Sequence, residues 1–276
     1  MNIWHIAQRE VRIGFRNPWA YTFMALFALF NLALLLIQSQ ISLSGFTSHT
    51  AAMLNLILYL LPLMTMLLGS FSLTSEKEEG SWMLLSTYPI STFSFIAGKY
   101  AGLVVVLFTI TMFGYGLSGV VGALSGNGAA WDAFALFAVF SACLIVLFLA
   151  LALGIGTLAN NRWQALTYGV GIWFFAIIGW PSLLVAILGY VPYLWIKPAL
   201  IFLTFLNPAE LVRLFVIVKL GGGSALGPEY YEWVQGTEGA EGTLLFALLC
   251  IAYIGIAITG AYTVWERRRY RHGAGA

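Results

Sequence analysis

Charge is scarce in this 276-residue chain, since Asp, Glu, Lys and Arg make up only 9% of it and the formal net charge is +2. No basic or acidic patch therefore indicates a nucleic-acid partner. Cysteine is scarcer still, because the chain has only Cys143 and Cys250, each inside an apolar run and without the CxxC spacing of a zinc or redox site. We expect both thiols to be buried as small hydrophobic side chains.

Two kinds of functional signature are also missing. The chain has no GxxxxGK[ST] stretch, and Gly221-Gly222-Gly223-Ser224 lacks the lysine that a phosphate-binding loop requires. Any energy from ATP would therefore have to come from another protein. Met64 and Met66 carry thioethers that suit Cu(I), but they do not share a helix face and have no Cys or His beside them, so no metal site is predicted.

Apolar residues, by contrast, make up 61% of the chain and give it a mean hydropathy of +0.89. Several runs approach the roughly 20 residues that a helix needs to cross about 30 Å of hydrocarbon. The predicted fold is an all-α membrane protein, with one transmembrane domain over residues 1–276. Its six predicted spans are Trp19–Ile37, Ala51–Leu73, Phe95–Leu124, Trp131–Leu158, Ala165–Trp180 and Thr243–Val264.

The Lys and Arg residues predict the orientation of these spans, because positive residues that flank spans stay in the cytoplasm. With both termini inside, only Lys197, Arg213 and Lys219 of the 13 Lys and Arg residues lie outside. Basic segments at both ends require an even number of crossings. We therefore expect a multi-pass protein of a bacterial or archaeal inner membrane, with both termini in the cytoplasm.

The run Ser182–Leu206 is apolar enough for a seventh span, which would place the C-terminal arginines on the wrong side. Pro181, Pro192 and Pro198 interrupt this run, and Lys197 lies within it. A re-entrant or interfacial element on the outer face is therefore favoured over a crossing, although both alternatives stay open.

The densest group of charges is Ser75-Glu76-Lys77-Glu78-Glu79-Gly80-Ser81-Trp82, between the second and third spans. Each charge would cost about 3 kcal/mol at the bilayer centre, so the group must lie in water at the membrane edge. Ser75 and Glu78 have the spacing of a capping box, which predicts a short helix that begins at Ser75 and ends before Pro89. Such a helix, joined to two spans, could pass a push from a soluble partner into the membrane.

Two further amphipathic helices are predicted outside the spans. Residues 1–17 alternate apolar and basic positions, which predicts a helix along the inner membrane surface. On the outer side, Asn207 is a candidate cap, Pro208 suits the first helical position, and apolar residues follow at helical spacing. The loop from Pro228 to Glu241 offers aromatic and acidic side chains that suit a protein contact.

The charged loop resembles that between spans two and three of type 2 ABC transporter permeases. The resemblance rests on Glu-Lys-Glu-Glu-Gly-Ser at 76–81, Leu84-Leu85, Tyr88-Pro89-Ile90-Ser91 and Gly98-Lys99. It implies six spans after an elbow helix (1–17), a coupling loop (75–92) that docks into an ATPase, and an outer-face region (181–242). The implied partners are two copies of an ABC ATPase subunit, which would bind ATP and Mg²⁺, and a second copy of the permease. The implied coupling residues are Glu76, Glu78, Glu79, Gly80, Ser81, Trp82, Leu84 and Leu85.

A narrower resemblance lies in the outer helix, where Leu-Asn-Pro-Ala-Glu-Leu-Val-Arg-Leu at 206–214 is similar to the NosY-type permeases. These form the membrane subunit of the ABC system that matures nitrous oxide reductase. The resemblance implies a periplasmic maturation protein that rests on the outer helices and handles copper-site assembly, driven by cytoplasmic ATP hydrolysis. The implied partner contacts are Asn207, Glu210, Leu211, Leu214, Phe215, Tyr231 and Trp233.

Other functions stay open. A type 2 permease that exports a drug, an ion or a lipid-like molecule would carry the same coupling loop. Gly116-Leu117-Ser118-Gly119 matches the GxSG text of intramembrane serine proteases, but the three histidines lie outside the span cores, so a base for Ser118 is missing. A channel or secondary transporter would need ionisable residues in the spans, which contain almost none. We therefore predict no catalytic residue in this chain.

Overall fold

The computed structural model describes residues 3–38, 47–80, 91–124 and 131–273, and every regular element in these ranges is helical. The predicted all-α fold is confirmed.

The chain begins with three helices, α1 (Ile3–Gly14), α2 (Pro18–Gln38) and α3 (Ser48–Glu78). Pro18 occupies the first position of α2, where its missing N–H leaves no hydrogen bond unmade, and the side chain of Asn17 accepts from the Trp19 amide at 3.0 Å. Thr47 caps α3 through reciprocal bonds with Thr50. These local bonds fix where the first two spans begin.

The next spans are α4 (Thr92–Leu124) and α5 (Trp131–Leu158). α6 (Arg162–Phe174) then continues through a π-helical turn (Phe175–Gly179) into α7 (Trp180–Tyr190), and α11 (Ala240–Gly273) is the last span. Six segments of the described residues are long and apolar enough to cross a membrane, as predicted. They are Pro18–Leu36, Thr50–Glu78, Thr92–Leu124, Phe134–Leu158, Arg162–Tyr190 and Ala240–Arg267.

The fifth span is longer than predicted. The sequence places its end at Trp180, because Pro181 follows, yet the helix continues to Tyr190. Pro181 lies in the first turn of α7, directly after the π-helical turn. A π-helical turn changes the hydrogen-bonding register, so the helix can pass a proline that has no N–H to donate. The predicted end of the fifth span at Trp180 is therefore wrong.

The stretch that follows forms two helices, α8 (Tyr193–Leu206) and α9 (Pro208–Lys219), whose axes bend by 109° at Asn207. Asn207 Oδ1 accepts from the Ala209 amide at 3.0 Å, and its Nδ2 donates to the Ala176 carbonyl at 2.6 Å. Ala176 lies midway along the fifth span, so the bend lies at mid-depth of the bundle. The first residues of the predicted outer element Ser182–Leu206, up to Tyr190, belong instead to the fifth span. Because the bent pair fits either a broken span or a re-entrant element, the preference for a re-entrant element stays a prediction.

The predicted outer helix exists as α9, but it is buried rather than exposed. Nine of its twelve residues are buried, and it packs against α5, α8 and α10 (Tyr231–Glu238). Five predicted partner contacts are at most 6% exposed, namely Asn207, Glu210, Leu211, Leu214 and Phe215. As folded, these side chains offer no surface to a partner. The prediction failed because the apolar face of α9 packs on the bundle.

The centre of the bundle is α5, which packs against α3, α4, α9 and α11. Small residues bring α3 and α5 close together, since a Cβ at Gly69 would lie 2.7 Å from the Ala152 side chain and one at Gly156 would lie 3.0 Å from the Ser70 carbonyl. This packing places the C-terminal ends of α3 and α5 side by side. Arg9, Lys77, Lys99 and Arg162 gather at this end through shared contacts, and we call it the basic end.

Candidate functional site

The basic end is organised around α1, which lies against α4. Two glycines of α4 allow this close approach. A Cβ at Gly98 would lie 2.7 Å from Ile6 Cβ, and one at Gly102 would lie 2.7 Å from the Ala7 carbonyl. The buried face of α1 consists of Ile6, Ala7, Glu10 and Gly14, so α1 presses a carboxylate against the bundle.

Lys99 of α4 receives that carboxylate. Its Nζ lies 2.9 Å from Glu10 Oε2 and 3.1 Å from Glu76 Oε1, and it also donates to the hydroxyl and the carbonyl of Ser72. The Ser72 hydroxyl donates in turn to Glu10. Arg9 Nη1 completes the group at 2.9 Å from Glu76 Oε1. We call Arg9, Glu10, Glu76 and Lys99 the ion cluster, and it joins α1, α3 and α4.

Three members of the ion cluster are buried, since Lys99 is 1% exposed, Glu10 2% and Glu76 4%, whereas the Arg9 side chain is 39% exposed. Removing an ion from water costs several kcal/mol, so such groups persist only when opposite charges and hydrogen bonds are matched. The cluster contains two positive and two negative charges. One buried acceptor, Glu76 Oε2, has no hydrogen-bond partner among the residues that the structure describes. The matched charges therefore favour one relative position of the three helices.

Lys77 forms a second connection, from α3 to α5 and α11. Its Nζ donates to the carbonyls of Gly156, Thr157 and Ala159 at 2.8, 3.0 and 2.6 Å. The last carbonyls of a helix carry a partial negative charge, which attracts a cation. The same ammonium lies 5.3 Å from the ring centroid of Trp265 in α11.

Arg162 forms a third connection, between the end of α3 and the start of α6. Its guanidinium lies 3.0 Å from Glu78 Oε2 and 3.2 Å from Glu79 Oε1, and its backbone N–H donates to Glu78 at 2.7 Å. The Glu78 carboxylate thus lies at the N-terminal end of α6, where a negative charge is favoured. These side chains are exposed to water, so the connection is weaker than the ion cluster.

The first residues of α4 are tied to α11. The Thr92 hydroxyl donates to Glu266, and the ring of Phe95 stacks on Trp265 with centroids 5.6 Å apart. Residues 79–91 therefore join two helix ends, the C-terminal end of α3 and the N-terminal end of α4, that are both bonded to other helices. A force that displaces this segment would act on α1, α5, α6 and α11 through those bonds.

Two predictions about the charged loop are corrected. No helix begins at Ser75, because α3 continues to Glu78 and Gly80 leaves the helix at a φ of +70°. The hydroxyl of Ser75 donates back to Ser72, and burial of Leu73 and Glu76 extends the helix beyond the local capping pattern. Glu76 also cannot face an ATPase, since it belongs to the buried ion cluster.

The remaining predicted coupling residues divide into two groups. Glu78, Glu79 and Gly80 lie at the exposed end of α3, where the Glu79 side chain is 61% exposed. Ser81, Trp82, Leu84 and Leu85 lie outside the described residues, as does the rest of the predicted coupling helix.

Sequence reasoning missed Glu10 and Lys99 as members of a site. A signal was present for each, because Glu10 falls at helical spacing on the face of Ile6 and Ala7, and Lys99 lies within the apolar run of the third span. A charge on an apolar helix face suggests a buried partner.

Ser118, the protease candidate, donates to the Gly114 carbonyl of its own helix at 3.1 Å.

At the opposite end, the structure separates the two predicted partner contacts of α10. Trp233 packs inward, with its ring centroid 5.4 Å from that of Phe205. Tyr231 is 61% exposed, and its hydroxyl accepts from Gln235 at 2.8 Å. Partner contact through Tyr231 stays a prediction.

Comparison with known proteins finds similarity along nearly the whole chain. A family model described as ABC-2 family transporter protein matches residues 4–269. The chain is 28% identical over 276 residues to the "Probable ABC transporter permease protein NosY" of Stutzerimonas stutzeri, covering 96% of this chain and 98% of the relative. It is 30% identical over 275 residues to the protein of the same name from Pseudomonas aeruginosa, with the same coverage.

Proposed function

Because this chain belongs to the ABC-2 family of transporter proteins, we propose that it converts ATP hydrolysis by a separate subunit into movement of its own helices. Its class, a multi-pass membrane permease, follows from the family. The family also implies an ATPase partner and a dimeric permease. The proposal concerns how the movement enters this chain and what the movement serves.

The observation that carries the proposal is the way the helix ends around residues 79–91 are held. Lys77, Glu78 and Thr92 connect this segment to α5, α6 and α11, while the ion cluster connects the adjoining turns to α1. A subunit that pushes on the segment would therefore move several helices rather than one loop. We assign the ATPase contact to Glu79, Gly80 and the loop residues Ser81, Trp82, Leu84 and Leu85.

Co-purification with the partner ABC ATPase subunit tests the assignment. Glu79→Lys and Trp82→Ala should each lower the amount of ATPase recovered, because they change the proposed contact without entering the ion cluster. Glu241→Lys, an exposed charge reversal at the other end of the bundle, should leave recovery unchanged. Undiminished recovery with both loop variants would refute the assignment.

We further propose that the movement serves the maturation of the copper site of nitrous oxide reductase through a periplasmic partner protein. The support is the NosY name of two relatives that align over nearly the whole chain. Tyr231 and the exposed residues near it are the proposed contact. An alternative is a permease that exports a drug, an ion or a lipid-like molecule.

Complementation separates these two functions. The chain and its ATPase should restore copper loading of nitrous oxide reductase in a Stutzerimonas stutzeri strain that lacks its own NosY. Copper content of the purified reductase is the readout. Wild-type levels of this chain in the membrane with no gain in copper content would instead favour the exporter.

A further inference from the structure

An apolar cavity of about 190 Å³ lies at the end of the bundle opposite the ion cluster, between α8, α9, α10 and α11. Its wall is aromatic and aliphatic, and Phe215 and Phe246 stack within it with centroids 3.9 Å apart. The residues that define its shape are Ile201, Phe205, Phe215, Trp233, Leu245 and Phe246. Such a lining suits a hydrocarbon ligand.

The cavity meets a surface that faces hydrocarbon in a membrane. Leu245, which lines it, is 52% exposed. Large apolar side chains of α8 and α11 on this surface are also exposed, including Phe202 at 64% and Leu244 at 66%. If the cavity were empty, its lining side chains would lose van der Waals contacts on one side. A hydrocarbon chain that enters from the lipid restores these contacts.

An ion pair lies at the rim of this cavity. Lys197 of α8 lies 3.2 Å from Glu232 of α10, and Glu232 itself lines the cavity. Both side chains are more than half exposed, so the two charges remain available to a ligand. An ammonium beside a carboxylate complements a headgroup that carries both a phosphate and an amine.

We propose that the cavity binds one acyl chain of a phosphatidylethanolamine molecule, with its phosphate at Lys197 and its ammonium at Glu232. The length supports this assignment. The wall contributed by α11 runs from Gly242 to Leu249, a rise of about 10 Å. Half of the hydrocarbon thickness is about 15 Å, so the cavity holds only the part of one chain nearest the headgroup, in agreement with its volume of about 190 Å³. The site is independent of the proposed ATPase contact.

Photo-crosslinking of the full-length protein tests the proposal. A phosphatidylethanolamine with a diazirine in its acyl chain should label residues 201–205 and 233–249. Leu245→Trp, which fills the cavity mouth, should lower this labelling several-fold. Leu244→Trp is the matched control, because it adds the same ring at the neighbouring exposed position outside the cavity lining. Ile201→Trp provides a second filling variant if Leu245→Trp fails to fold.

The headgroup is tested by comparing the same probe built on phosphatidylglycerol, which lacks the amine. Wild-type protein should prefer the phosphatidylethanolamine probe, and the double variant Lys197→Gln/Glu232→Gln should lose that preference. Equal labelling of Leu245→Trp and Leu244→Trp would identify ordinary boundary lipid and overturn the proposal. The proposal would also be overturned if a diazirine placed at residue 245 formed cross-links to a second copy of this chain or to another protein instead of to lipid.

Discussion

Lys99 is the residue on which the basic end depends most directly. Replacing it by Met keeps the volume of the side chain but leaves Glu10 and Glu76 with only the charge of Arg9. Breaking a buried ion pair in this way costs about 3–5 kcal/mol. Lys99→Met should therefore lower the apparent melting temperature of the detergent-purified protein strongly, as followed by tryptophan fluorescence.

Two comparisons separate charge from general disruption. Lys197→Met removes a lysine from an exposed ion pair and should cost less than about 1 kcal/mol. Adding Glu10→Gln to Lys99→Met leaves one positive and one negative charge in the cluster, Arg9 and Glu76, so it should recover part of the lost stability. A double variant no more stable than Lys99→Met alone would show that the charge balance is not what holds the cluster together.

At the residue scale, part of the site could be predicted from the sequence. Glu79 and the charged loop could be predicted, since charges between two spans must lie in water. The burial of Glu76 could not, because the residues that neutralise it come from α1 and α4 and lie far from it in the chain. The same holds for Glu10, which is 89 residues from Lys99. Local patterns show that such charges are unusual, but only the packing of helices selects their partners.

Among the helices, α1 packs closely against the glycines of α4. A methyl group at Gly102 would meet the Ala7 backbone carbonyl, which cannot rotate away. Gly102→Ala should therefore separate α1 from α4 and destabilise the protein by about 1–3 kcal/mol. Faster tryptic cleavage after Arg12 and Arg16, together with a lower melting temperature, would show the release of α1.

The matched control for this change lies on the same helix. Among the described residues, a methyl group at Gly116 would meet no atom within 4 Å beyond the adjoining backbone of α4. Gly116→Ala should therefore be neutral or slightly stabilising, because alanine favours a helix more than glycine does. If trypsin cleaved Gly102→Ala at the wild-type rate, the close contact at this glycine would not be needed to hold α1 against α4.

Helices were predicted well where hydrophobic length decided their existence, and less well where packing decided their ends or position. Each predicted span overlaps an observed one, because about 20 apolar residues leave few alternatives. Pro181 did not end the fifth span, since a π-helical turn precedes it. The amphipathic pattern of α9 predicted a helix correctly. The same pattern suits an apolar face on the outer membrane surface and one packed against the bundle, so it could not decide between the two.

Across the whole molecule, the two ends of the bundle differ in how they are stabilised. The basic end is held by buried and partly buried ion pairs that link helices distant in sequence. The opposite end contains the apolar cavity, and the bent pair α8 and α9 extends from that end to mid-depth of the bundle. Asn207 connects α9 to the middle of the fifth span through Ala176. Movement imposed at the basic end would thus reach the opposite end through α5, which packs against both α3 and α9.

The sidedness of these ends is the prediction that concerns the molecule as a whole. The distribution of Lys and Arg predicts that the basic end lies in the cytoplasm and that residues 220–239 lie outside. In intact cells, Ser224→Cys should react with a membrane-impermeant maleimide, whereas Gln8→Cys should react only after permeabilisation. Both positions are exposed, and neither change removes a charge. The wild-type chain, whose Cys143 and Cys250 lie within spans, gives the background. Protection of Ser224→Cys in intact cells, together with labelling of Gln8→Cys, would instead reverse this orientation and place the lipid cavity and the proposed partner contact on the cytoplasmic side.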